Sequence, residues 1–286
     1  MKYTQMLYCS TGILIILILI LCVSCYSRTE GFSSQPSIPA IIWTYWNSDT
    51  IPDVVQRCID SWAYHNPSYE INVVTPANLH DYIDVNITDL PFNDSPARES
   101  DIVRLLLLEQ YGGVWSDASI LATAPYPFSL DSGAEFIGYY LNGFTTRPEF
   151  PVLESWFFAT VPHGQFIKGW KRAFFSLDTF VTVKDAVEYM KYLGIDLQNI
   201  SNIEYLFIHV AAQYVMQTDP SVLRTMRFMK AEDGPYRYLS QNDWDSRKAL
   251  ENLCKGDSRT GLIKFRGHER KILQEEKDLQ ECVLKV

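Results

Sequence analysis

The stretch that most constrains this chain is "SPARESDIVRLLLLEQYGGVWSDASILAT", from Ser95 to Thr123. Ser95 suits an N-cap, Pro96 the first helical position and Gly112 a stop, so a helix is predicted over Ser95 to Tyr111. Ile102, Leu105, Leu106 and Leu108 give that helix a buried face. Two glycines then lead directly into "VWSDASILAT", which reads as a strand despite a carboxylate at Asp117.

The surrounding chain repeats this rhythm. "IPAIIWTYW" reads as a strand, and "IPDVVQRCIDSWAYHNP" as a helix with Val54, Val55, Ile59 and Trp62 at helical spacing and Asn66-Pro67 as its stop. "YEINVVT" is a second strand and "PANLHDYI" a short helix. Strand, helix, strand in this order predicts a parallel sheet with crossover helices, an α/β domain. "EFIGYYL" and "LESWFFATV" are predicted as further strands. Beyond residue 163 the pattern turns mainly helical, through "GQFIKGWKRAFFSL", "VKDAVEYMKYLG" and "EYLFIHVAAQYVMQ". The end, "GLIKFRGHERKILQEEKDLQE", reads as an extended segment and a charged helix.

With 286 residues, 47% of them hydrophobic, the chain can bury a sizeable core and is not expected to be disordered. Its net charge of −9 argues against wrapping nucleic acid, which needs clustered Lys and Arg. The short basic clusters Lys171-Arg172 and Arg266 to Lys271 read as solvated surface.

From Tyr3 to Ser27 there is no charged residue, and the centre is "GILIILILILCV". About 20 apolar residues suffice for one transmembrane helix. Residues 1–27 are therefore expected to be a signal-anchor, with a cleaved signal peptide as the rival because "CVSC" offers small residues. Residues 28–37, rich in Ser, Gly and Pro, read as a stem, and 38–286 as one globular domain, facing the lumen (Golgi-type) or the cell envelope. Cys22 and Cys25 are candidates for palmitoylation. Cys58, Cys254 and Cys282 are read as buried thiols or at most one disulfide. Asn86, Asn93 and Asn199 stand in glycosylation sequons.

Asp101 and Arg104, three apart, share one helix face, and the helix around them is apolar. Ligands of open α/β sheets bind outside the carboxyl ends of the strands, where Asp117 is expected. In an extended segment Asp117 and Ser119 would share a face and offer oxygens to ribose hydroxyls or a hard cation.

In order along the chain, Ile38 to Trp46, Ser100 to Arg104 and Tyr111 to Ser119 resemble the capsular polysaccharide synthesis proteins. Those are related to glycosyltransferases with a DXD sugar-binding region, among them the yeast-type α-mannosyltransferases and the clostridial glucosylating toxins. The resemblance implies a GT-A type, Rossmann-like nucleotide-sugar domain with a mainly helical C-terminal half. It implies a transferase moving a sugar from a nucleotide-sugar donor to a glycan or glycoprotein acceptor, with retention of configuration. On these residues it places Trp46 near the base, Asp101 and Arg104 on sugar and diphosphate, and Asp117 as the first DXD aspartate, with Gly113 and Ser119 also in the donor site. Asp101, Arg104 and Asp117 are the catalytic candidates.

Ser119 departs from the pattern, standing where the last carboxylate usually binds Mn²⁺ or Mg²⁺. A hydroxyl is the weaker ligand for a hard cation, so a divalent ion held by Asp117 and Ser119 with His209 or His268 stays open. The same residue motivates the alternative, a domain that binds glycan or nucleotide-sugar without turnover. Glu154 and Asp243 are candidate acceptor-side carboxylates.

Overall fold

The computed structural model describes residues 37–285. The anchor expected over residues 1–27, and the stem apart from its last residue, lie outside the described residues. Among the described residues no helix is long and apolar enough to cross a membrane.

Strand β1 (Ile41–Tyr45) pairs in parallel with β2 (Glu70–Val74) on one side and β3 (Gly113–Ser116) on the other. Helix α1 (Asp53–His65) crosses between β1 and β2, and α2 (Pro96–Tyr111) leads into β3. This half has the expected form of parallel strands with crossover helices. The remaining strands are β4 (Ile120–Ala122), β5 (Phe136–Tyr140), β6 (Leu153–Thr160), β7 (Met226–Lys230) and β8 (Leu262–Lys264). The main sheet runs β2-β1-β3-β6-β5-β7, with β6 antiparallel to both neighbours and β7 parallel to β5. The fold is thus mixed α/β with a parallel-rich sheet.

Period-two alternation sorts the strand side chains into two cores. Trp43, Trp115 and Phe158 enter one, with Ile102 of α2, Trp170 of α3 (Gln165–Phe175) and Phe207 of α5 (Phe207–Thr218); α4 (Val183–Tyr192) adds Val187. Ile42, Val114 and Phe157 enter the other, with Trp62 of α1, Ile120 of β4 and Ile263 of β8. The C-terminal helices α6 (Arg237–Ser240), α7 (Ser246–Cys254), α8 (Gly267–Glu275) and α9 (Lys277–Val283) close that second face. Beyond residue 163 the chain is mainly helical, as expected; β7 and β8 are its two strands among the described residues.

The stretch read as one strand, "VWSDASILAT", is two. β3 stops at Ser116, the Ile120 amide donates to the Asp117 carbonyl at 3.0 Å, and β4 pairs antiparallel with β8 in a separate ribbon. Continuing straight would have carried Asp117 along the sheet with the core side chains. The turn leaves it at the sheet's end, its amide held by the Trp156 carbonyl at 2.8 Å.

The helix before it matches its sequence signals. The Ser95 hydroxyl accepts from the Arg98 amide, Pro96 opens the helix, and Gly112 (φ 64°) ends it. Gly113 (φ 96°) lies so close to β1 that a Cβ would stand 2.6 Å from the Ile41 carbonyl oxygen. Cys254 and Cys282 form a disulfide joining α7 to α9, and Cys58 is a buried free thiol.

Candidate active site

Helix α2 and strand β3 form a tight antiparallel pair, and this sets the site. From Asp101 to Tyr111 the helix advances roughly 15 Å, and from Gly113 to Asp117 the strand returns roughly 13 Å. The double glycine therefore folds Asp101 and Arg104 back beside Asp117. From Ile102 to Leu108 the helix is apolar except for Arg104, with Ile102, Val103, Leu105, Leu107 and Leu108 buried, and the two charges are buried with them: Asp101 is 7% exposed and Arg104 5%.

Arg104 is the hub. Its guanidinium is ion-paired with Asp101 Oδ1 at 3.1 Å and donates to Asp117 Oδ1 at 3.1 Å, to the Ser155 carbonyl at 3.0 Å and to Ser100 Oγ at 3.1 Å. It also lies over the Trp115 ring, 5.0 Å from the centroid. The Trp115 indole N–H donates to the same Asp117 oxygen at 2.9 Å. Asp117 Oδ2 accepts from the Lys264 ammonium at 2.6 Å, and that ammonium reaches Ser119 Oγ at 2.9 Å.

Burial would raise the Asp117 pKa, but Lys264 and Arg104 more than offset it and hold the carboxyl below the usual range. Asp101 goes the other way, its burial outweighing the attraction of Arg104 and Arg98. Burial likewise lowers Lys264, with Asp117 opposing.

These groups line a cleft of about 880 Å³ at the carboxyl ends of β1 and β3, where open α/β sheets take their ligands. Tyr45 and Trp46 come from the end of β1, Glu154 and Ser155 from the start of β6, and His209 from α5. The Trp46 indole N–H is held by the Thr50 carbonyl at 3.2 Å, and the Arg270 guanidinium lies 5.7 Å from its ring centroid. Glu154 Oε2 and His209 Nε2 are 3.4 Å apart. Three buried polar atoms of the lining, Arg104 Nε, Trp156 Nε1 and His209 Nδ1, have no partner within the protein.

The fold thus gathers Trp46, Asp101, Arg104, Asp117, Ser119 and His209 at one cleft, and Glu154 with them. Three other candidates lie elsewhere. Gly113 is buried against Ile41 at the opposite end of β3, His268 is exposed on α8, and Asp243 is an exposed turn residue. Sequence reasoning missed Lys264, and it read Arg266 and Arg270 as solvated surface, whereas both line the cleft. The missed signal was a lysine in the apolar run "GLIKF", the same kind of anomaly that Asp117 presents in "VWSDASI".

A divalent ion does not fit this donor set. The one carboxylate among the motif's side chains, Asp117, is already paired with two cations, Arg104 and Lys264, and Ser119 accepts from Lys264. Among the described residues no three His, Cys, Asp or Glu side chains are grouped to hold a metal.

Residues 26–247 match the family model described as "Capsular polysaccharide synthesis protein", and the chain belongs to that family. It is 28% identical over 155 residues to the O-glycosyltransferase braB of Annulohypoxylon truncatum. That match spans 46% of this chain and 36% of the relative, so the chain covers about a third of that protein's length. Solved structures of similar outline include the PaToxG glycosyltransferase (TM-score 0.40, 13% identity, 91% of this chain and 94% of that one). Another is a glycosyltransferase involved in glycosylating the major capsid of PBCV-1 (TM-score 0.43, 7% identity, 83% and 100%). A third is the UDP-bound glycosyltransferase domain of the YGT toxin (TM-score 0.42, 10% identity, 88% and 100%). The expected kinship with glycosyltransferases is met, and it rests on the family match and the fungal relative rather than on these shapes.

Proposed function

We propose that the protein is a glycosyltransferase that moves a sugar from a nucleotide-sugar donor to a glycan or glycoprotein acceptor, on a GT-A type domain. The observation that carries this reading is the ion-paired chain Asp101–Arg104–Asp117 at the carboxyl ends of β1 and β3, in one cleft with Trp46. In the proposed site the Trp46 ring lies beside the base, Asp101 and Asp117 accept from sugar or ribose hydroxyls, and Arg104 neutralises charge developing on the leaving diphosphate. Fixed charge of that kind usually supplies the largest part of such catalysis. Glu154, paired with His209, serves as the acceptor-side carboxylate. Retention of configuration, inferred from the resemblance alone, belongs to the same proposal.

We also place the domain outside the cytosol, tethered through residues 1–27. The disulfide Cys254–Cys282 supports this, since disulfides persist in oxidising compartments.

The test is a screen of the full chain for transfer and donor hydrolysis over a panel of nucleotide sugars. Wild type is expected to turn over one donor, and Asp117→Ala or Asp101→Ala to lose about 100-fold or more in kcat. Unchanged turnover in both variants would overturn the site. Donor binding without turnover on any acceptor would favour a non-catalytic binding domain.

A further inference from the structure

Building on the proposed nucleotide-sugar site, one feature of the cleft takes over the task that a metal ion is expected to perform. We propose that Lys264 stands in the place of the divalent cation at Asp117-Ala118-Ser119: its ammonium receives the donor's diphosphate, and transfer proceeds without metal.

The geometry is specific. The ammonium lies 2.6 Å from Asp117 Oδ2 and 2.9 Å from Ser119 Oγ, so it joins the first and last side chains of the motif. It is held there by rigid structure. Lys264 is paired with Ile120 across the β4–β8 ribbon, and the next amide, Phe265, donates to the Ser119 carbonyl at 3.0 Å. Lys264 on β8 and the turn that carries the motif, just before β4, are therefore fixed to each other.

Charge explains Ser119. Two carboxylates balance a divalent ion, and one carboxylate balances one ammonium. Replacing the second aspartate by serine is the change that a monovalent cation calls for. With a second carboxylate, Lys264 would be over-neutralised and would offer less to a phosphate. With a divalent ion added instead, two like charges would meet in a buried site where they are poorly screened.

Donor counting points the same way. A lysine carries three N–H donors, and Asp117 and Ser119 take two, which leaves one for a phosphate oxygen. Arg104 flanks Asp117 from the other side, and Arg266 and Arg270 line the cleft beyond Lys264, so the cation sits within a strip of positive charge. A purely structural role accounts less well for a buried lysine here, because well-packed apolar residues usually stabilise a core as well as a buried ion pair does.

During transfer the bond between the anomeric carbon and the terminal phosphate oxygen breaks, and its electron pair leaves with the diphosphate. The acceptor oxygen bonds the anomeric carbon, and its proton passes to the departing diphosphate. Lys264 transfers no proton. It holds the charge that grows on the leaving group.

The experiment measures binding of UDP, GDP, ADP and CDP to the full chain by calorimetry, in EDTA and then with Mn²⁺ or Mg²⁺. Turnover of any active donor is followed under the same conditions. One nucleoside diphosphate is expected to bind in EDTA about as tightly as with metal. Lys264→Gln should weaken it about 30-fold or more, with Lys264→Arg retaining most of the affinity. Because Lys264→Gln leaves Asp117 less compensated, Lys264→Gln is checked by melting, and Lys264→Met, which fills the same volume without charge, is the second variant, expected to melt as a folded protein and still fail to bind. Binding or turnover that appears only after metal is added overturns the lysine's role and leaves the nucleotide-sugar reading standing. Unchanged binding in folded Lys264→Gln overturns it too. If none of the four nucleotides binds under any condition, the nucleotide-sugar reading falls and this inference with it.

Discussion

At the scale of the residue, Arg104 decides whether the site can exist. It is the shared partner of two carboxylates, Asp101 buried and Asp117 partly buried, whose pKa values burial and charge have moved in opposite directions. The depressed carboxyl, Asp117, adds stability that is fully present above the unfolded aspartate value of about 3.9 and is lost as pH falls through its lower folded value. The raised carboxyl, Asp101, has the opposite sign: it costs stability at neutral pH, and the cost fades as pH falls through its folded value. Removing Arg104 raises both, because each loses the cation that favoured its ionised form. Arg104→Ala is therefore expected to destabilise the protein by about 3–5 kcal/mol at pH 7, the usual penalty for breaking a buried pair. The difference from wild type should shrink as pH is lowered toward 4.5, read from urea unfolding at each pH. A difference that stays constant across that range would mean that Asp101 and Asp117 are not charged against Arg104. Arg104→Lys should recover only part of the loss, since one ammonium cannot reproduce a planar fork with five donors.

At the scale of the element, the helix–glycine–strand unit shows what the sequence makes legible. The cap at Ser95, the stop at Gly112 and the approach of Asp101 and Arg104 to Asp117 follow from local signals and the rise per residue of a helix and a strand. Strand direction does not: β6 reads as an apolar run whichever way it lies, and only its pairing shows it antiparallel. Lys264 was hidden for a related reason, because its partner is 147 residues away in sequence. A charge in a three-residue strand carries no local clue to what it faces across a ribbon. The turn that splits β3 from β4 was equally invisible, since Asp117 to Ile120 contains no glycine or proline to announce it. The unit also yields a test. Gly113→Ala puts a methyl 2.6 Å from the Ile41 carbonyl oxygen at a φ of 96°, where side chains are strained. The expected loss is about 2–4 kcal/mol, from strain and overpacking together, seen as a lower denaturation midpoint. A midpoint equal to wild type would show that β1 and β3 are not as close as described.

At the scale of the whole molecule, the cleft depends on parts that are distant in sequence. Arg266 and Arg270 belong to the C-terminal segment, and Lys264 enters on β8 just before it. That segment folds back over α1 and is held by an apolar face containing Leu273 and Val283, by Arg57–Glu281 at 2.7 Å, and by the disulfide between α7 and α9. The ion pair is exposed and adds little. The disulfide closes a loop with a sequence separation of 28, which by chain entropy corresponds to about 3–4 kcal/mol of stability. Cys58 does not compete for it, because burial pushes that thiol up to about 12 and keeps it neutral. Cys282→Ser should therefore lower the stability of the full chain by about 3 kcal/mol, matched by reduction of wild type and not increased by reducing the variant. Because α8 lies between the two bridged helices in the chain, the same change should loosen Arg266 and Arg270 and raise the amide exchange of residues 264–283 above that of β1 and β3. Equal exchange in oxidised and reduced protein would separate the disulfide from the site and leave the C-terminal wall standing on its apolar packing alone.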